Sequence, residues 1–241
     1  MNKLAVILPI YKNDKVPYVR LSLDSILHQT YKGENKLIIG VDGPVGNDLA
    51  DCLKEYEQKT DVFIQWFPEN RGLAIVLNAL LDICFKEGYE YIARMDADDI
   101  STPDRFEKQM AYLQIHPEID VVGGAIDENS ESRDKVIVYP KGPKECYEFF
   151  SRRNPHAHPA VLFRKSFFEK LENPNANLNP KVRLAYKSEN RRWYRPEYRQ
   201  NQDTMLWLDG MSKGTNHANI PDVILRFRFT NSLFKKRRNG W

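Results

Sequence analysis

Through its first 125 residues the chain alternates short apolar runs with amphipathic stretches, and no other feature narrows its fold so far. Residues 4–8 form a continuous apolar run that stops at Pro9, as in a strand buried on both faces. Residues 36–41, 62–67, 89–95 and 119–123 read as further strands. Between them, residues 18–29, 48–59, 73–86 and 103–116 carry apolar side chains at helical spacing, such as Leu49, Leu53 and Tyr56. Strand–helix alternation with short connections predicts parallel strands and right-handed crossovers. Beyond Asp127 the pattern changes. Residues 136–139, 160–163 and 223–229 read as strands, and 143–151, 166–171 and 203–211 as helices; 152–159 and 172–180 are turn-rich loops. This half is expected to complete the same sheet. A single domain over 1–241 follows, with halves at 1–125 and 126–232 and a basic tail at 233–241. With 241 residues, 41% of them hydrophobic, the chain can bury one large core.

The fourth strand ends in charge. Arg94-Met-Asp-Ala-Asp-Asp-Ile-Ser-Thr-Pro-Asp-Arg105 places Asp96, Asp98, Asp99 and Asp104 at the carboxyl edge of the sheet, where open α/β sheets bind ligands. Residues i and i+2 of an extended segment point the same way, so Asp96 and Asp98 can converge on one cation. Hard oxygen ligands suit Mg²⁺ or Mn²⁺. Asp104, after Pro103 and before a helix, also reads as a cap.

Other classes are disfavoured. Neither Gly-x-Gly-x-x-Gly nor a Walker loop follows the first strand, against a dehydrogenase or P-loop enzyme. Cys52, Cys84 and Cys146 share no close spacing, so neither a disulfide framework nor a zinc site is expected; a reducing cytoplasm fits. Cys84 reads as a small core residue. No apolar run reaches the ~20 residues of a membrane span, and the amino terminus does not read as a signal peptide. A net charge of +3 does not point to nucleic acid. The charge is unevenly spread: residues 181–200 hold seven basic and two acidic side chains, and 223–241 hold six basic and none acidic.

Taken together, the ordered motifs resemble glycosyltransferase family 2, of the GT-A fold and the bacterial surface-polysaccharide type. They are Leu8-Pro-Ile-Tyr11, Ser22-Leu-Asp-Ser-Ile-Leu-His-Gln-Thr30, Val41-Asp-Gly-Pro44, Asn70-Arg-Gly-Leu-Ala74 with Asn78, Met95 to Phe106, Val121-Val-Gly-Gly124, His158-Pro159, Gln202-Asp203 with Trp207, and Ile220-Pro-Asp-Val-Ile-Leu225. The resemblance implies a Rossmann-like, mostly parallel sheet flanked by helices, with a mixed extension on the acceptor side. It implies an inverting enzyme that moves a hexose, of glucose or galactose type, from a UDP-sugar to a lipid-linked saccharide in O-antigen, capsule or exopolysaccharide synthesis.

By the same resemblance Pro9, Tyr11, Asp42 and Asn70 line the nucleotide pocket, although Asp42 also suits a turn before Gly43. Asp98 is the direct metal ligand; Asp96 meets the ribose or the metal, and Asp99 shares the ion or orients the loop. Arg94 is expected to pair with a carboxylate. Asn78 bonds within the core or borders the site. Asp203 is the catalytic base, or else a helix cap. Trp207 is expected to cover a sugar ring. His156 and His158 serve structure or acceptor contact rather than zinc, and His28, His116 and His217 read as surface or capping residues. The aromatic and basic run 227–241 suggests peripheral contact with an anionic inner leaflet, hence a cytoplasmic enzyme with no nucleic-acid partner. The rival readings are a catalytically inactive sugar-nucleotide-binding protein and a nucleotidyltransferase.

Overall fold

The computed structural model describes residues 3–130, 133–172 and 193–228. The tail at 233–241 and most of the basic stretch 181–200 lie outside the described residues. The fold is α/β, built on one sheet that runs through both halves.

Strands β1 (Leu4–Ile10), β2 (Asn35–Val41), β3 (Val62–Trp66) and β4 (Tyr91–Arg94) pair in parallel. The helices between them are α1 (Val16–Leu27), α2 (Asn47–Glu57) and α3 (Leu73–Lys86). After β4 come α4 (Arg105–Ile115), α5 (Pro143–Phe150), α6 (Lys165–Glu172) and α7 (Gln202–Ser212). β1 explains the layering. Its alternate residues Leu4, Val6, Leu8 and Ile10 pack with α1, α2 and α4, while Ala5 and Ile7 pack with α3, α6 and α7. A strand covered by helices on both faces must be apolar throughout, which is what the run 4–10 is.

The expected stop at Pro9 is corrected: β1 continues to Ile10, with Pro9 opposite Gly40 of β2. Ile7 turns its carbonyl toward the fourth strand, where it accepts the Met95 N–H at 3.1 Å. Pro9, two residues on, faces the same side, but β4 has already ended, so its missing N–H leaves no ladder bond unmade.

The second half is mixed. β8 (Leu162–Arg164) inserts antiparallel between β4 and β6 (Val121–Ser130), and β7 (Arg133–Ile137) folds back on β6. β9 (His217–Arg228) runs parallel to β6 with register shifts at Gly124/Ala125 and Ala125/Ile126. It is longer than the expected 223–229 at its start, and it pairs antiparallel with the two-residue strand β5 (Ile100–Ser101), which the sequence pattern does not reveal. No helix among the described residues is long and apolar enough to cross a membrane.

Candidate active site

Where β4 ends, the chain leaves the sheet as Asp96-Ala-Asp-Asp99, and one carboxylate oxygen from each of Asp96, Asp98 and Asp99 lies within 4.8 Å of the others. Helix α1 braces this loop. Ser22 Oγ donates to the Asp96 carbonyl at 2.8 Å, and Ser25 Oγ accepts the Ser101 N–H at 3.0 Å. Gln29 Nε2 donates to the Thr102 carbonyl at 2.7 Å while its Oε1 accepts the Phe106 N–H at 3.2 Å. Ser22 and Ser25 on one face of α1, with Gln29 just past its end, thus read the backbone of the acidic loop. From the other side, buried Arg105 donates to the carbonyls of Arg94 at 3.0 Å and Val161 at 3.2 Å, and burial pulls its guanidinium down to about 9.

The charges in the loop are only partly met. Buried Arg94 pairs with Asp96, yet its Nε and Nη1 have no partner among the described residues. Asp99 Oδ1 accepts the Arg228 N–H at 2.8 Å, and its buried Oδ2 has no partner among the described residues. Burial, with the Asp96 charge adding, raises both the Asp98 and the Asp99 carboxyls above their ordinary range. An orphaned oxygen among clustered hard donors is the donor set of a divalent cation. Asp104 lies apart, at the N-cap position of α4, where its carboxylate accepts from Thr102 at 3.1 Å and pairs with Lys108 at 2.8 Å.

One more carboxyl belongs to this edge. Asp14 Oδ2 accepts the Tyr11 N–H at 2.8 Å. Burial pushes Asp14 up to about 7; the Tyr11 N–H opposes the rise, and Asp98 and Asp96 add to it. In the sequence, Asn13-Asp14 before a proline-containing helix start reads only as a turn.

Asp42, at the end of β2, is buried and holds the loop after β3. Its Oδ1 accepts the Arg71 N–H at 2.6 Å; its Oδ2 accepts Asn70 Nδ2 at 2.9 Å and the Gly72 N–H at 3.0 Å. A carboxylate offers about four acceptor sites, so this clamp leaves room for another donor. Gly43 has φ +84°, and a Cβ there would meet the Asn70 nitrogen at 2.5 Å, so the two loops close only around glycine. Tyr11 is exposed just beyond β1, and Pro9 is half-buried within it. The Arg71 side chain leans toward Glu69 at 3.8 Å on the surface.

In the second half, Asp203 sits in the first turn of α7, whose N-cap is Asn201 in the left-handed conformation, with no side-chain cap bond. Capping is therefore not its role. Its Oδ2 accepts Asn154 Nδ2 at 2.9 Å from the loop after α5. Tyr194 lies between the halves. Asn78 grips its backbone through two hydrogen bonds, 2.7 and 2.9 Å, and its hydroxyl meets His158 Nε2 at 2.7 Å. Burial pushes the Tyr194 hydroxyl up, Arg94 opposes, and the charges of Asp203 and Asp96 add to the rise.

Two expectations fail here. Trp207 covers no sugar: it is 0% exposed, packed against Phe163, Phe167, His156 and His158, because the apolar side of α7 faces the sheet. His217 is not a surface residue. It is buried, with Nδ1 3.0 Å from His156 Nε2 and Nε2 2.8 Å from Thr215 Oγ1. His156 Nδ1 meets Asn219 Oδ1 at 2.9 Å. A Cβ on Gly123 would lie 2.2 Å from that oxygen, so Gly123 of β6 makes space for this polar chain.

Residues 5–172 match the sequence model of Glycosyl transferase family 2. The chain belongs to glycosyl transferase family 2. Amylovoran biosynthesis glycosyltransferase AmsE of Erwinia amylovora is 31% identical over 238 residues, covering 98% of this chain and 80% of the relative. O-antigen biosynthesis glycosyltransferase WbnJ of Escherichia coli is 32% identical over 241 residues, covering 98% and 83%. Among solved structures, S. aureus TarS 1-349 in complex with UDP matches at TM-score 0.68 and 14% identity, over 97% of this chain and 62% of that one. Mannosyltransferase PcManGT from Pyrobaculum calidifontis, in complex with GDP-Man and Mn²⁺, matches at 0.64 and 15% over 98% and 60%. This family 2 chain thus spans less than two thirds of those solved chains, and it shares their GT-A-like fold.

Proposed function

We propose that this family 2 protein is a metal-dependent, inverting hexosyltransferase that moves a hexose of glucose or galactose type from a UDP-sugar to a lipid-linked saccharide in bacterial O-antigen, capsule or exopolysaccharide synthesis. The observation that carries it is the convergence of Asp96, Asp98 and Asp99 where β4 leaves the sheet, one carboxylate oxygen of each within 4.8 Å of the others. The biosynthetic names of AmsE and WbnJ support the setting, and the UDP and Mn²⁺ complexes of TarS and PcManGT support the donor chemistry.

On this reading Asp98 and Asp96 hold a divalent cation, which when bound supplies Lewis-acid charge against the diphosphate leaving group. Asp42, already fixed by the 70–72 loop, accepts from the base, and Tyr11 borders it. Asp203 takes the proton of the acceptor hydroxyl, its carboxylate turned by the Asn154 amide so that one oxygen stays free for that work. Arg94 keeps Asp96 ionised and oriented.

Titration of the full chain with UDP and with GDP, in Mn²⁺ and in EDTA, tests the reading, followed by transfer from the UDP-hexoses to a lipid-linked saccharide. Tight UDP binding that EDTA and Asp98→Ala both weaken at least roughly tenfold is expected, since a lost metal contact to a diphosphate costs several kcal/mol. A chain that binds neither nucleotide in either condition would not be this enzyme.

A further inference from the structure

Arg228, at the end of β9, reaches the acidic loop from 130 residues away in sequence. Its N–H donates to Asp99 Oδ1 at 2.8 Å and its Nε to the Asp98 carbonyl at 3.1 Å. The guanidinium lies 3.8 Å from the centre of the Tyr18 ring on α1. A guanidinium beside three carboxylates would ordinarily pair with one of them. This one does not: its side chain bonds a carbonyl, and its two terminal nitrogens have no partner among the described residues. Its charge still acts on the loop, opposing the rise of the Asp98 carboxyl. A planar fork held by a stack and one hydrogen bond, with its two outer nitrogens unpartnered among the described residues, is pre-organised for paired anionic oxygens.

We propose that Arg228 is a direct ligand of the donor's diphosphate, the cation that the chain itself places beside the metal-holding carboxylates, with Tyr18 as the platform that aims it. The inference rests on the reading of that edge as the site of a nucleotide diphosphate. Its setting is distinct from that of Arg94, which is buried and ion-paired with Asp96. Arg226 shares the strand face of Arg228 but is exposed at the register of Ile100, one step from the loop. It supplies a control for charge without contact.

The experiment compares UDP and UMP binding, both with Mn²⁺, in the full chain and in Arg228→Ala, Arg228→Lys and Arg226→Ala, with Mn²⁺ binding measured alone. Arg228→Ala is expected to weaken UDP roughly tenfold or more, as for loss of a charge-assisted pair, while UMP changes less than about twofold and Mn²⁺ binding is kept. Arg226→Ala should cost UDP far less. Should alanine unfold the chain, Arg228→Lys keeps the charge without the fork or the stack, and is expected to lose several-fold on UDP alone. An equal loss of UDP and UMP, or a loss of Mn²⁺ binding, would make Arg228 a brace of the loop and overturn the assignment while leaving the donor reading intact. No effect on UDP would overturn it as well. Absence of UDP binding in the unaltered chain would remove both.

Discussion

The parallel half of the sheet and the mixed half each bring carboxylates to the same edge, but they hold them by different means. Asp96, Asp98 and Asp99 ride on a loop whose backbone is gripped by many small contacts from α1 and α4, above an apolar core. Asp203 rides on α7, whose Trp207 packs on two buried polar groups: Asn219, His156, His217 and Thr215 in one, and His158, Tyr194 and Asn78 in the other. A distributed brace loses little when one contact goes. A buried network in a low-dielectric interior fails as a unit, because each orphaned group then pays its desolvation in full. The donor edge should accordingly be tolerant and the acceptor side sensitive.

The sharpest way to divide the halves is Asp203→Asn, which should lower transfer by roughly 10²–10⁴-fold, the range for loss of a general base, with UDP binding unchanged. A matching fall in donor affinity would erase the division.

The next largest effect comes from acid. Burial holds His156 down to about 4, and His158 and His217 well below the ordinary 6.5, so the folded chain keeps all three neutral. The unfolded chain takes up protons as pH falls through 6.5. At these three sites it binds more protons than the native state between there and about 4, so their contribution to stability is full above the window and is lost as pH drops. Asp14, pushed up to about 7, and the raised Asp98 and Asp99 take up protons in the folded chain first and act in the opposite direction. By pH 5 the loss should be roughly 1–2 kcal/mol for each histidine. Urea midpoints at pH 7.5, 6 and 5, in a variant carrying Asp14→Asn, Asp98→Asn and Asp99→Asn so that the opposing carboxyls do not titrate, would read it, and a flat profile in that variant would contradict the buried network.

The smallest effect belongs to the donor brace. Ser22→Ala removes one bond to the Asp96 carbonyl and should cost about 1 kcal/mol, with a shift in UDP affinity of only a few-fold. A collapse of metal or UDP binding in this variant would mean that the brace is not distributed after all.

Legibility in the sequence follows the same line. The elements of the parallel half are readable because strand and helix periods are local, and α3 spans the expected 73–86. The acidic cluster is readable for the same reason, being nine residues of one chain segment. Helical spacing put Trp207 on α7 but not on a face, since whether a ring meets solvent or Phe163 depends on what lies above the helix. The insertion of β8 between β4 and β6, the pairing of β5, and the meeting of Arg228 with Asp99 have no local period at all.

By itself, then, the sequence determined the family, the α/β alternation and the charge at the end of β4, because each is written in spacing along one segment. Only the tertiary structure decided that Asp14 and Arg228 join that charge, that Asn154 rather than a helix end engages Asp203, and that three histidines are interior. Those residues are held by contacts between segments far apart in the chain, and the geometry of such contacts exists only once the sheet has closed around them.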